Sequence, residues 1–295
     1  MSKVTANGIQ IEYETFGNPS NRPLLLIAGH GSQMIQWDEA FCLDLVKRGH
    51  YVIRFDYRDV GLSTKFDTAG VPSLETIGKI MQGEKIKPTY TLDDMSDDAV
   101  GLLDALGIRK AHICGISMGG MIAQTIAIRH LCRVLSLISI ASTTGNPELA
   151  LPTPEIIGRY VTPPPAERVA YIGHMLGVYK ALAGPGFIFD EEWTRKITAE
   201  SYDRCFYPQG KVRHTVAVLT HGNRVPALAS VNVPTLVVHG ISDPLFLVDA
   251  GKDTAKAIPG AQLMLIEGMG HDLPHGGAWP QIVEAIEAHT LKATP

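Results

Sequence analysis

Short, mainly apolar runs alternate with helical patterns along this chain, and that alternation restricts it to few folds. Leu24 to Ala28 ends at Gly29, and Tyr51 to Phe55 ends at Asp56. Ala111 to Ile116, Val134 to Ile140, Thr235 to His239 and Gln262 to Ile266 repeat the pattern. Such runs suit parallel strands buried on both faces. Between them, Trp37, Phe41, Leu45 and Val46 recur at helical spacing. Thr91 can cap another helix, with Asp93, Asp94 and Asp97 in and near its first turn. Its apolar residues Met95, Ala99, Leu102, Leu103 and Leu106 share one face, and Gly107 ends it. Further helices are predicted at about Met118 to His130, Val248 to Ile258 and Gln281 to His289. Repeated βα units call for an α/β fold with a mostly parallel central sheet flanked by helices.

The middle breaks this grammar. From about Ser142 to Pro226 there is no comparable strand-like run. Pro152, Pro154 and Pro163 to Pro165 interrupt helical stretches that carry Met175, Leu176, Phe187, Phe189, Trp193 and Phe206. A disordered linker would not hold so many large apolar groups. Residues 142–226 are therefore expected to form a helical cap over a core built from 1–141 and 227–295.

With 295 residues the chain sits at the upper end of what one core supports. A net charge of −4 with no basic patch argues against nucleic acid as a partner. No run of 18 apolar residues exists to span a membrane, and MSKVTANGIQ lacks the apolar core of a secretory signal. The four cysteines, Cys42, Cys114, Cys132 and Cys205, have no metal-binding spacing and suit a reducing compartment, so a cytoplasmic location is expected. A homodimer stays open.

The chemistry concentrates at three loops. Gly115-Ile116-Ser117-Met118-Gly119 fits G-x-S-x-G at a strand-to-helix junction. A serine on that sharp turn is exposed above the sheet at the positive end of the next helix, and the flanking glycines allow the close approach. The pentapeptide alone is weak; the apolar AHICGI before it and the helix after it give it weight. A serine nucleophile needs a base, and the base an orienting acid. His271, in a glycine-rich loop after a strand, is the best placed of eleven histidines; His239 reads as a core or turn residue. A metal pair of His271 and His275 is disfavoured by Pro274 between them, and no metal is expected. Asp243 occupies the loop after the preceding strand, where Pro244 holds it outward, whereas Asp249 reads as the start of the next helix.

With these pieces, LLLIAG, VIRFDYRDVGLS, HICGISMGG, PTLVVHGISDP and IPGAQLMLIEGMGH, the chain resembles the α/β-hydrolase family over nearly its whole length. Asp59, in the loop from Asp56 to Ser63, departs from that family's usual glycine. The variant looks most like the branch of polyketide methylesterases similar to aclacinomycin methylesterase. The resemblance implies a Ser117–Asp243–His271 triad, a cap that shapes the pocket, and two-step acyl transfer without a cofactor. It also implies an oxyanion hole made by backbone N–H groups. Met118 supplies one; for the other, Ala28-Gly29-His30 and His30-Gly31-Ser32 compete, and the distance from Trp37 back to the strand end favours His30 over Ser32. Gly29, Met175, Phe187 and Trp193 are expected to line a pocket for the hydrophobic portion of a small-molecule ester. Ser at the elbow disfavours epoxide hydrolases and haloalkane dehalogenases, which place Asp there. The same triad would serve a lactonase, a cofactor-free haloperoxidase, a C–C hydrolase or an acyltransferase, and a non-catalytic receptor on this fold is a rival from another class.

Overall fold

The computed structural model describes residues 2–275 and 277–293. The chain opens with a hairpin absent from the reading above. Strands β1 (Ser2–Ala6) and β2 (Ile9–Phe16) pair antiparallel across Asn7-Gly8. Both turn residues have positive φ, 48° and 77°, the requirement of the turn that best matches strand twist. Strands β3 (Arg22–Ile27), β4 (His50–Phe55), β5 (Ala111–Ile116), β6 (Val134–Ile140), β7 (Thr235–Gly240) and β8 (Gln262–Ile266) complete one eight-stranded sheet. Its order is β1-β2-β4-β3-β5-β6-β7-β8, with every pair from β4 to β8 parallel. Leu24 to Ile27, Ile113, Cys114, Leu137 and Ile138 are all fully buried, which is why these strands read as continuous apolar runs.

Helix α1 (Glu39–Lys47) starts later than the apolar spacing suggests. Asp38 caps it by accepting from the Ala40 amide, which leaves Trp37 in the preceding loop. Helix α2 (Leu74–Met81) buries none of its residues, so it carries no core-facing signal in the sequence. Helix α3 (Leu92–Ala105) begins at Thr91 with a reciprocal capping box to Asp94. Helix α4 (Met118–Arg129) follows β5 and is buried on almost every side, as a helix packed centrally against the sheet must be.

Five helices separate β6 from β7: α5 (Pro154–Val161), α6 (Arg168–Leu182), α7 (Glu191–Arg204), α8 (Pro208–His221) and α9 (Val225–Leu228). The short α9 straddles residue 226 and packs on α4 and on α10 (Val248–Ala257), with Leu228 inside the main core. Asp249 lies in the first turn of α10 rather than at its cap, which is Leu247. Helix α11 (Trp279–Lys292) ends the described chain.

Two buried ion pairs tie the inserted helices to the loop after β4. Arg204 on α7 meets Asp56 at 2.6 Å, and Arg213 on α8 meets Asp59 at 2.6 Å. Asp59 sits at a φ of +65°, a left-handed conformation that costs a non-glycine residue about 1–3 kcal/mol. Its carboxylate also accepts from the Phe66 amide and the Tyr90 hydroxyl, both at 2.7 Å. Burial works against the charge, but Arg213 and these donors hold the Asp59 pKa below the ordinary carboxylate value. The departure from glycine thus builds an anchor for α8.

Candidate active site

Ser117 follows β5 and precedes α4 at φ 56° and ψ −122°, a strained combination for a residue with a Cβ. The turn is clamped from both sides. The Ser117 amide donates to the Ile140 carbonyl at 2.9 Å, and the Ser142 hydroxyl donates to the Ser117 carbonyl at 2.8 Å. A Cβ at Gly115 would overlap the Gly119 carbonyl, and one at Gly119 would overlap the Ile27 carbonyl. The motif's two glycines are therefore required by backbone crossing backbone.

The three loop residues converge. His271 Nε2 lies 2.9 Å from Ser117 Oγ, and His271 Nδ1 lies 2.8 Å from Asp243 Oδ2. The carboxylate can only accept when ionised, so Nδ1 carries the proton and Nε2 is left as an acceptor for the serine hydroxyl. Asp243 Oδ1 accepts from the Leu245 and Phe246 amides, each at 2.8 Å, which fixes the carboxylate's rotamer. His239 also approaches Asp243, at 3.5 Å, but its Nε2 is 2.7 Å from the Phe246 carbonyl. Burial lowers its pKa, and the fully buried ring props the acid's loop.

In the loop after β3 the two candidate oxyanion registers differ in hydrogen bonding. The Ser32 amide donates to the Gly29 carbonyl at 3.0 Å, closing a turn and consuming that N–H. The amides of His30 and Met118 have no protein acceptor among the described residues. Tyr57, unremarked in the sequence, is wholly buried beneath this turn, and its hydroxyl donates to the Gly29 carbonyl. The His30 ring points elsewhere: Nδ1 is 3.0 Å from the Tyr160 hydroxyl on α5, and Nε2 is 3.1 Å from the Lys211 carbonyl and 3.0 Å from Thr215 Oγ1 on α8. Burial first, and then the Lys211 charge, push its pKa well down, so the ring is neutral.

A cleft enclosing about 1200 Å³, partly open to solvent, lies between the sheet and the inserted helices, with Ser117 and His271 in its wall. Gly29, Met175 and Trp193 line it. Phe187 does not; its ring packs against Gly277, where a Cβ would come within 2.5 Å of it, and Phe189 faces the cleft instead. Phe206 lines a second chamber of about 710 Å³ that shares His30, Ser32, Gln36, Met175, Tyr179 and Lys211 with the first. His275 stacks on Trp193 with ring centroids 5.1 Å apart and bonds Asp190 at 2.8 Å. Asp272, the residue after His271, also lines the cleft, and burial raises its carboxyl to a pKa of about 6.

The histidine loop and the α6–α7 connection are packed backbone to backbone. The His271 amide donates to the Leu182 carbonyl at 2.8 Å, and the Gly186 amide donates to the Gly268 carbonyl at 2.9 Å. Side chains at Gly184, Gly186, Gly268 or Gly270 would each collide with the opposite segment's backbone.

Residues 22–278 match the α/β-hydrolase fold family model. The rhodomycin D methylesterase DnrP of Streptomyces peucetius is 30% identical, with 99% of this chain and 98% of that protein aligned. The 3-oxoadipate enol-lactonase 2 of Acinetobacter baylyi is 25% identical, covering 90% of this chain and 87% of that protein. Among solved structures, an esterase from Thermogutta terrifontis superposes with a TM-score of 0.74 at 22% identity, over the full length of both chains. Among the described residues no helix is long and apolar enough to cross a membrane.

Proposed function

Because the chain belongs to the α/β-hydrolase fold family and is a hydrolase, we propose that it cleaves carboxylic esters through an acyl-enzyme on Ser117. The observation that carries this reading is the unbroken chain from Ser117 Oγ through His271 to Asp243, set in the wall of a cleft beside two unengaged amides.

His271 Nε2 takes the Ser117 proton as Oγ attacks the ester carbonyl. The carbonyl oxygen becomes an oxyanion that the His30 and Met118 amides receive, each contributing roughly 3 kcal/mol to the transition state. His271 then returns the proton to the leaving alcohol as the C–O bond breaks. A water, deprotonated by the same nitrogen, attacks the acyl-enzyme; the acid departs and Ser117 recovers its proton. Asp243 keeps the histidine in the tautomer that this cycle needs and stabilises the imidazolium. The helices over the cleft act as a cap that sets the substrate's shape. Because curated relatives of this chain are methylesterases, a methyl ester with a bulky acid portion filling the cleft is the first substrate class to offer. A lactone, whose alcohol stays tethered, would open by the same steps.

The test is hydrolysis of p-nitrophenyl butyrate and of methyl esters, with Ser117→Ala alongside. Turnover, a burst of nitrophenol and an acyl adduct on Ser117 by mass spectrometry are expected. Comparable turnover by Ser117→Ala would overturn the assignment.

A further inference from the structure

The cleft wall holds a cation with no counter-ion among the described residues. Lys211 lies on α8 where the two chambers meet, and it lines both. Its stem packs across Gly31 of the oxyanion turn, with Cγ 2.9 Å from where a Cβ at Gly31 would sit. The ammonium lies 4.9 Å from the centre of the Tyr160 ring and 3.5 Å from the Tyr160 carbonyl. No carboxylate among those residues pairs with it, whereas Arg58 has Asp98, Arg204 has Asp56 and Arg213 has Asp59. Arg224, also without a carboxylate, is instead hydrogen-bonded to Gln124 and the Thr143 carbonyl. Its charge is felt by neutral neighbours, depressing the pKa of both His30 and His174.

A partly buried ammonium facing a ring, a carbonyl and neutral imidazoles is costly to keep. Desolvation accordingly lowers the Lys211 pKa to about 8. A methionine or leucine would fill the same space without that cost, so the charge is worth keeping only if something binds to it. Asp272, another ionisable group of the cleft that the triad does not use, lies on the histidine loop, where burial raises its pKa to about 6 and Oδ1 has no hydrogen-bond partner among the described residues. Lys211 belongs to the oxyanion-turn side, and the second chamber opens beyond it.

We infer that Lys211 is a specificity-determining residue that pairs with a carboxylate on the substrate, making the preferred ester one that carries a second, free acid group. The reading rests on the esterase assignment above. The ester carbonyl sits at Ser117, and the free carboxylate reaches past the oxyanion turn to the junction of the chambers.

Monomethyl esters of straight-chain dicarboxylic acids, from glutaric to sebacic, supply the probe, each compared with the neutral ω-amide of the same length. In the wild-type enzyme at least one length should show about tenfold or greater kcat/KM for the acid over its amide. In Lys211→Met that ratio should fall to about one, whatever happens to the absolute rates, while Lys211→Arg retains a preference for the acid. Equality of acid and amide at every length in the wild type overturns the inference, as does an undiminished ratio in a folded Lys211→Met. Calorimetric binding of the free diacids and their diamides to the wild type repeats the comparison without turnover, and equal affinities again overturn it. Uncharged p-nitrophenyl butyrate reports on the esterase assignment alone, so the two failures are told apart.

Discussion

Asp59 and Arg213 form a two-point ion pair sealed from solvent, with Nε to Oδ2 at 2.6 Å and Nη2 to Oδ1 at 3.1 Å. It joins a strained loop of the core to the helix that carries Lys211. Arg213→Met strands a buried carboxylate and should cost about 3–5 kcal/mol. Asp59→Gly/Arg213→Met removes both charges and the positive-φ strain, so it should recover much of that loss. Urea unfolding of the single and double variants checks this; a double variant as unstable as the sum of its singles would disprove the coupling.

Tyr57 holds the oxyanion turn from beneath through the Gly29 carbonyl. Tyr57→Phe removes that donor without opening a cavity. If the His30 amide serves the oxyanion as proposed, the change should lower kcat roughly tenfold while KM stays within about twofold. A purely structural phenol would give reduced Tm with kcat intact.

Asp243→Asn keeps the shape of the acid but turns its amide toward His271 Nδ1, favouring the wrong tautomer. A fall in kcat of about 10³–10⁴ is expected, with the fold preserved. Steady-state kinetics and near-ultraviolet circular dichroism together decide it; a loss below tenfold would remove Asp243 from its proposed role.

The three residues proposed as catalytic, which the structure brings together, could be picked out because they follow strands with strong apolar signatures: Ser117 after β5, Asp243 after β7 and His271 after β8. Chain order and strand ends are local information. The pocket was not legible in the same way. Residues 183–190 connect α6 to α7 without helical periodicity, so nothing in the sequence said that Phe189 rather than Phe187 would face the cleft. Tyr57 and Lys211 matter through contacts with the 29–32 turn, which only the folded chain creates. The β1–β2 hairpin has a half-exposed surface and no apolar run, although Asn7-Gly8 was a usable sign of it.

Acid should unfold this protein through its buried histidines. Burial lowers His50 and His214 to about 4 and His112 to about 3, from the ordinary 6.5. Each is neutral when folded and takes up a proton on unfolding below pH 6.5, so each contributes stability above that pH that is lost as pH falls toward its folded value. Each proton is worth roughly 1.4 kcal/mol per pH unit. Asp272, raised to about 6 by burial, acts in the opposite sense and offsets about one of the three. A marked fall in Tm between pH 6.5 and 4 is expected. A flat profile over that interval would mean that these rings are not held neutral.

The interlocked glycines at 184, 186, 268 and 270 have an engineering consequence. They make the His271 loop a mechanical passenger of the helical insertion: the proposed proton shuttle is bolted to the roof, while the proposed nucleophile is bolted to the floor. Any excursion of the roof on that side would part the shuttle from Ser117, so substrate traffic must use other flanks. A chimera that grafts a foreign insertion onto this sheet would have to carry both glycine pairs across as one part. A graft that respects the helix boundaries but breaks the pairs should fold into a sound scaffold with a misplaced base.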